Sequence, residues 1–141
     1  MSLQQYVLNF NENIDQLLSE LSEIGKQLFK DKLITQQPID HLIYYKNLCK
    51  TSRTLNKEIT IQSLSAYILK NEEFVIKINN KDKDFFNNYD FSSKTNNDNW
   101  LKLITCIKEV FNILNKDNQD IIFEYLQLLC KISLEYIKLK Y

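Results

Sequence analysis

The first 28 residues carry the pattern that most constrains the fold. Apolar residues recur here at alternating spacings of four and three: Leu3, Val7, Phe10, Ile14, Leu17, Leu21, Ile24 and Leu28. This spacing predicts a long amphipathic helix with a narrow apolar seam of two positions per heptad. A narrow seam is typical of a contact between two helices.

The seam could be covered by either of two helix contacts. The contact is either intramolecular, against the last helix of the chain, or intermolecular, against a second copy or a helical partner. An exposed seam of this length would otherwise be an unprotected apolar patch. The intermolecular alternative gives five candidate partner-binding residues: Val7, Phe10, Ile14, Leu17 and Leu21.

The last segment, residues 120–141, is apolar around most of a helix. Its polar residues fall within an arc of about 80°: Glu124, Gln127, Lys131, Glu135 and Lys138. A bilayer would have to accept four charges, the central ones at about 2.5–3.5 kcal/mol each. We therefore predict no membrane segment but a helix at the centre of a bundle, with Leu126, Leu129 and Ile137 buried.

Three more helices are predicted between these two. Pro38 fits the first turn of a second helix that ends near residues 51–56. A third helix fits the spacing from Ile61 to Ile78, although Asn71 interrupts its apolar stripe. Asp98 or a neighbouring Asn could cap a fourth helix that runs to Leu114.

Residues 79–99 have no helical period and are rich in Asn, Asp and Ser, so they predict a long loop. Its aromatic residues predict that the loop packs onto the body: Phe85, Phe86, Tyr89 and Phe91. The predicted fold is thus all-α, a single domain over residues 1–141. It is a bundle of about five helices with a long packed loop before the fourth.

Composition narrows the possible partners and the compartment. Lys plus Arg and Asp plus Glu number 18 each, so no net charge attracts nucleic acid or anionic lipid. Three cysteines without a close pair (Cys49, Cys106 and Cys130) favour buried thiols in a reducing compartment. The start of the chain lacks the basic and continuous apolar regions of a secretory signal. We expect a cytoplasmic protein.

A local basic stripe is the strongest alternative site. On a continuous helix, its four members fall within about 60°: Lys46, Lys50, Arg53 and Lys57. Such a stripe could bind phosphates, with Tyr44 and Tyr45 stacking on bases. The other interpretation is that this face pairs with the acids of the first helix. We favour that interpretation and expect little nucleic-acid binding.

Motifs for metal binding and catalysis are weak. Asn80, Asp82 and Asp84 alternate as in a calcium loop, but Phe85 and Phe91 replace its Gly and Glu. We therefore interpret these acids as helix caps.

One histidine and three cysteines, His41 with Cys49, Cys106 and Cys130, lack the close pairing of zinc ligands. A Cys or Ser nucleophile would need a base, and His41 is the single histidine of the sequence. Cys49 lies about 80° from His41 around the helix, so the two side chains would not meet directly. We expect no metal, no cofactor and no catalytic residues.

Three stretches resemble a group of small uncharacterised helical proteins of large nucleocytoplasmic DNA viruses of the mimivirus-like kind. They are "MSLQQYVLNFNENIDQLL", "INNKDKDFFNNYDFS" and "IKEVFNILNKDNQDIIFEYLQLL". The chain departs from that pattern at Phe123, where Trp is frequent, and at Asn56 and Lys57, where Asn-Pro is frequent. The resemblance implies a viral protein of the host cytoplasm or the virion, and it implies no activity.

We therefore expect a non-enzymatic interaction or assembly protein that binds a protein partner or its own copy through the first helix. A nucleic-acid-binding accessory factor that uses the basic stripe is the alternative. An unrecognised enzyme is the third.

Overall fold

The computed structural model describes residues 1–88 and 99–141, which form helices joined by short turns. We number the helices α1 (Leu3–Lys30), α2 (Gln37–Leu55), α3 (Ile59–Lys70), α4 (Glu72–Asn79), α5 (Lys83–Asn88), α6 (Asn99–Phe111) and α7 (Lys116–Lys140). Because the described residues contain no strand, the prediction of an all-α protein is confirmed. These residues form seven helices where about five were expected.

Both additional helices have local causes. Asn71 leaves the helical region, at φ −139° and ψ 67°, so the predicted third helix is divided into α3 and α4. Inside the predicted loop, Asp82 Oδ1 accepts a 2.9 Å hydrogen bond from the Phe85 N–H and starts α5. Part of that loop is therefore helical, and Asp82 is a helix cap as expected.

The two long helices form the centre of the molecule. Helix α1 makes its most extensive contact with α7, and α2 is its second neighbour. Tyr125 of α7 donates a 2.9 Å hydrogen bond to Glu20 of α1. Burial, together with this bond, raises the pKa of Tyr125 to about 12.

The helices α1 and α7 run antiparallel. Asn11, near the start of α1, contacts Lys57 in the α2–α3 turn, and Tyr136, near the end of α7, contacts the adjacent Glu58. Among the residues predicted to be central in α7, Leu126 and Leu129 are fully buried. Ile137 is only half-buried, in the last turn of the helix.

Aromatic rings fill the other end of the core. Phe86 of α5 lies 4.6 Å from Phe111 of α6 and 5.9 Å from Phe123 of α7, measured between ring centroids. Phe86 is fully buried and Phe85 packs partly against the core. The predictions for Tyr89, Phe91 and Asp98 lie outside the described residues.

A glycine lets α1 and α2 approach closely. A Cβ atom at Gly25 would lie 3.1 Å from Cγ1 of Ile39 on α2. Both residues are buried. A Cβ at this position would therefore require the Ile39 side chain to shift by a few tenths of an ångström.

None of the described helices combines the length and the apolar run needed to cross a membrane.

Candidate interaction groove

The five predicted partner-binding residues lie in the hydrophobic core: Val7, Phe10, Ile14, Leu17 and Leu21. Their seam is covered within one chain, mainly by α7, which is the intramolecular alternative. The seam as a whole is therefore not a partner-binding surface in this fold. Helix α1 also buries Leu18, Ser22 and Gly25, because it packs against α2 as well as α7.

One part of α1 does border an open surface. A groove of about 420 Å³ lies between the first two turns of α1 and the α2–α3 turn. Its apolar wall consists of Leu3, Val7 and Leu8, and its polar side consists of Asn11, Lys57 and Glu58. We call this set, with Gln4, the α1 groove. Leu8 is 58% exposed, so its side chain is available to a partner.

Local hydrogen bonds fix the start of α1 beside the groove. Ser2 Oγ accepts from the Gln5 N–H at 3.2 Å, and the Ser2 N–H donates to Gln5 Oε1 at 2.8 Å. This reciprocal capping box satisfies N–H groups that the first turn cannot pair within the helix. It therefore holds Leu3, the first helical residue, in a fixed position.

Asn11 links the two sides of the groove. Its Nδ2 donates to the Lys57 carbonyl at 3.0 Å, while Arg53 Nη1 donates to the Asn11 carbonyl at 3.3 Å. The buried Asn11 Oδ1 has no hydrogen-bond partner among the described residues. An unpaired buried acceptor costs about 1–3 kcal/mol. Because this oxygen is buried, it is not accessible from the groove in this structure.

The carboxylate at the groove edge is already engaged. Glu58 Oε1 accepts from the Tyr136 hydroxyl at 2.6 Å and from Lys140 Nζ at 3.0 Å. These bonds, the Tyr136 bond first, hold the pKa of Glu58 below its ordinary value. Hydrogen bonds of Lys140 with Glu58 and Tyr136 raise the pKa of Lys140, so its side chain stays protonated. This network ties the end of α7 to the start of α3.

The basic stripe does not form as a continuous surface. Helix α2 ends at Leu55, so Lys57 lies in the α2–α3 turn and not on α2. Arg53 Nη2 donates to both carboxylate oxygens of Asp15, at 2.7 and 2.8 Å. The Arg53 side chain is only 10% exposed. The predicted stripe is therefore wrong for Arg53 and Lys57, and the favoured pairing with the acids of α1 is confirmed at Asp15.

The other two lysines of the stripe remain on the surface. Lys50 is exposed and Lys46 is half-buried. Neither forms an ion pair with another described residue. Two lysines give a much weaker phosphate-binding surface than four.

The cysteines are not activated for nucleophilic attack. Burial raises the pKa of Cys130 to about 12, and burial with the nearby Glu109 raises the pKa of Cys106 to about 12. Burial also raises the pKa of Cys49, against the opposing effect of Arg53. A thiol with a raised pKa is almost entirely protonated at neutral pH, and the thiolate is the nucleophile.

The single histidine pairs with an acid. His41 Nδ1 lies 3.2 Å from Glu109 Oε2, and both side chains are partly exposed. In the described part of the chain, no three His, Cys, Asp or Glu side chains are grouped as metal ligands would be. Asp82, from the calcium-like stretch, pairs with Lys77 at 3.4 Å and caps α5.

No family model, curated protein or solved structure matches the chain. The resemblance to proteins of large DNA viruses therefore stays a prediction.

Most of the groove was not predicted from the sequence. Leu3 and Val7 were selected as parts of the seam and Lys57 as part of the stripe, but Leu8 and Asn11 were not selected. Leu8 offered a signal, because it is a leucine outside the seam on the otherwise polar side of α1. The position of Glu58 beside α1 depends on how α2 and α3 turn back, which no local pattern reports.

Proposed function

We propose that this is a non-enzymatic interaction or assembly protein that binds a partner segment in the α1 groove. The observation that carries the proposal is an apolar wall with an exposed leucine in a groove beside the α2–α3 turn. Leu3, Val7 and Leu8 form the wall, and the Leu8 side chain is 58% exposed. The partner site thus remains on the first helix, but on its N-terminal groove and not on its buried seam.

The apolar wall would provide the affinity for a partner. Covering apolar surface stabilises a complex by about 25 cal/mol per Å² removed from water. A ligand that covers the exposed Leu8 side chain would gain this contribution.

The charges at the groove favour an uncharged ligand. Lys57 and Glu58 carry opposite charges on the same side, and Glu58 is already bonded to Tyr136 and Lys140. A charged ligand group would therefore meet a repulsive partner or displace an existing bond. We infer that the partner is a peptide segment that presents an uncharged, apolar side chain to the groove.

The two other functions have less support. The bidentate bond of Arg53 to Asp15 removes the central cation from the nucleic-acid hypothesis. No described cluster favours an enzyme: the thiols have raised pKa values, and His41 pairs with Glu109 on the surface. Assignment to a virus rests on the sequence resemblance alone.

A displayed library of random peptides, selected on the folded protein, tests the proposal. We expect enriched peptides that contain an apolar residue and bind at least about tenfold more weakly to Leu8→Glu. Leu33→Glu, a matched control just beyond the other end of α1, changes a leucine of nearly the same exposure and should leave binding unchanged.

Two outcomes of this selection would overturn the proposal. One is that no peptide is enriched over a protein of similar charge. The other is that the enriched peptides bind Leu8→Glu as tightly as the native chain. Since Leu8 is exposed, Leu8→Glu should keep the native unfolding midpoint, so that a loss of binding is not a loss of fold.

A further inference from the structure

Helix α7 exposes a second apolar surface, on the side away from the core. Ile121, Leu128 and Leu134 are 41%, 39% and 38% exposed. They flank two charged residues, Glu124 and Lys131, on the same side of the helix. We call these five residues the α7 face. Ile121 and Leu134 are about 20 Å apart along the helix.

A groove continues this face towards α4. It has a volume of about 440 Å³ and is lined by Leu128, Lys131 and Leu134 of α7 and by Val75 and Asn79 of α4. The α4 wall is held in place because Gln127 Nε2 donates to the carbonyl of Ile78 at 3.1 Å. The α7 face is therefore a formed surface and not a loose helix edge.

The two charges of the face have weak partners within the chain. The Glu124 side chain is 63% exposed, and its carboxylate lies 3.7 Å from Lys81 Nζ, a loose ion pair. Lys131 is exposed and forms no ion pair with another described residue. Both charges can therefore pair with a second molecule.

Their spacing makes the α7 face complementary to itself. Glu124 and Lys131 are equally distant from the point between Gln127 and Leu128. If a second α7 lies antiparallel with a two-fold axis at that point, each Glu124 is level with Lys131 of the other copy. Leu128 is then level with Gln127 of the other copy, one residue from the other Leu128, and Ile121 is level with Leu134 of the other copy.

From this complementarity we propose that two copies of the chain associate through antiparallel α7 helices. A parallel arrangement is disfavoured, because it would bring Glu124 against Glu124 and Lys131 against Lys131. Within α7, the antiparallel register brings one like-charged pair level, Asp120 with Glu135. Glu135 already forms an ion pair with Lys138 of its own helix at 3.3 Å. The contact is isologous, so every favourable pair occurs twice.

Sedimentation equilibrium of the full chain over a wide concentration range tests this proposal. We expect a reversible monomer–dimer equilibrium. Either Glu124→Lys or Lys131→Glu alone places like charges opposite each other twice and should raise the dissociation constant at least about tenfold. The double variant Glu124→Lys with Lys131→Glu restores both pairs and should restore dimerisation.

Mixing the two single variants provides a second readout. In the mixed dimer every level pair at these positions has opposite charges, so an equimolar mixture should dimerise although each variant alone does not. Leu8→Glu should leave dimerisation unchanged, because the α1 groove is a separate surface. This control separates failure of the dimer from failure of the proposed function.

The proposal is overturned if the native chain keeps a monomer mass at every concentration. It is equally overturned if a dimer forms and neither Glu124→Lys nor Lys131→Glu changes its dissociation constant from that of the native chain. All of these substitutions are at exposed positions, so circular dichroism should show an unchanged helix content.

Discussion

Arg53 Nη2 lies 2.7 and 2.8 Å from the two carboxylate oxygens of Asp15, and this pair joins α2 to α1 across a distance of 38 residues in sequence. Charge-assisted bonds of this kind are roughly twice as strong as neutral ones. Arg53 also donates to the Asn11 carbonyl, so one side chain fixes α2 against the turn of α1 that borders the groove. A cation used in this way stabilises the fold and is not available to phosphate.

Arg53→Ala should therefore destabilise the protein, by about 2–3 kcal/mol, because three hydrogen bonds are lost and Asp15 is left half-covered without its cation. Urea unfolding followed by circular dichroism measures this change. Lys50→Ala on the same helix is the matched control and should change the free energy of unfolding by less than about 0.5 kcal/mol. Equal effects of the two substitutions would show that the Arg53 pair contributes no more than a surface charge.

Leu129→Ala should cost about 2–5 kcal/mol, because Leu129 is fully buried at the centre of α7 and a cavity would remain. Leu139→Ala, in the last turns of the same helix, removes the same atoms from a side chain that is 53% exposed. It should cost less than about 1 kcal/mol. A midpoint shift for Leu129→Ala no larger than that of Leu139→Ala would contradict the central position of α7.

Gly25→Ala should be destabilising by about 1 kcal/mol, although Ala favours a helix by about that amount over Gly. The new Cβ would lie 3.1 Å from Ile39 Cγ1, and such overpacking typically costs 1–3 kcal/mol. Ile39→Ala removes that Cγ1. In an Ile39→Ala background, Gly25→Ala should therefore become neutral or stabilising. A double-mutant cycle measures this reversal, and additive effects would mean that the two positions do not touch.

Lowering the pH should weaken the junction between α7 and α3. The pKa of Glu58 is depressed in the fold, chiefly by the Tyr136 hydrogen bond. The stability from its carboxylate is thus fully present above the unfolded value of about 4.3 and is lost as the pH falls through the folded value. Glu58→Gln should be less stable at pH 7 and should show a smaller loss of stability on acidification.

Tyr136→Phe is the matched variant for this pH dependence. It removes the hydroxyl that donates to Glu58 at 2.6 Å and keeps the buried ring, so it should cost about 1–2 kcal/mol at neutral pH. It should also reduce the acid dependence. If the native chain, Glu58→Gln and Tyr136→Phe lose stability in parallel between pH 6 and 3, a different carboxylate is responsible.

The helical nature of the chain could be predicted from local periodicity, because a repeat of three and four residues reports one buried face. The pattern also located α1 and α7 and the burial of Leu126 and Leu129. It could not separate α3 from α4, since Asn71 only weakens an apolar stripe in the sequence, whereas its non-helical backbone breaks the helix. Helix α5 was missed because a six-residue helix is too short for a period to be visible.

The candidate groove was largely beyond the reach of the sequence. A periodic seam shows that Phe10 is covered, but not whether α7 of the same chain or another molecule covers it. The groove arises where α1 meets the α2–α3 turn, so its form depends on residues that are distant in sequence. No spacing of residues along the chain could have identified it.

The central claim is that a single chain buries the α1 seam by itself and leaves the α1 groove open to a partner. Equilibrium unfolding of Phe10→Glu tests it most directly, with Leu8→Glu, two residues away, as the control. Phe10 is fully buried and Leu8 is exposed. Because an unpaired charge is costly in an apolar core, Phe10→Glu should lose more than about 4 kcal/mol or fail to fold, whereas Leu8→Glu should keep the native midpoint. A Phe10→Glu chain that stays folded with an unchanged midpoint would contradict the account.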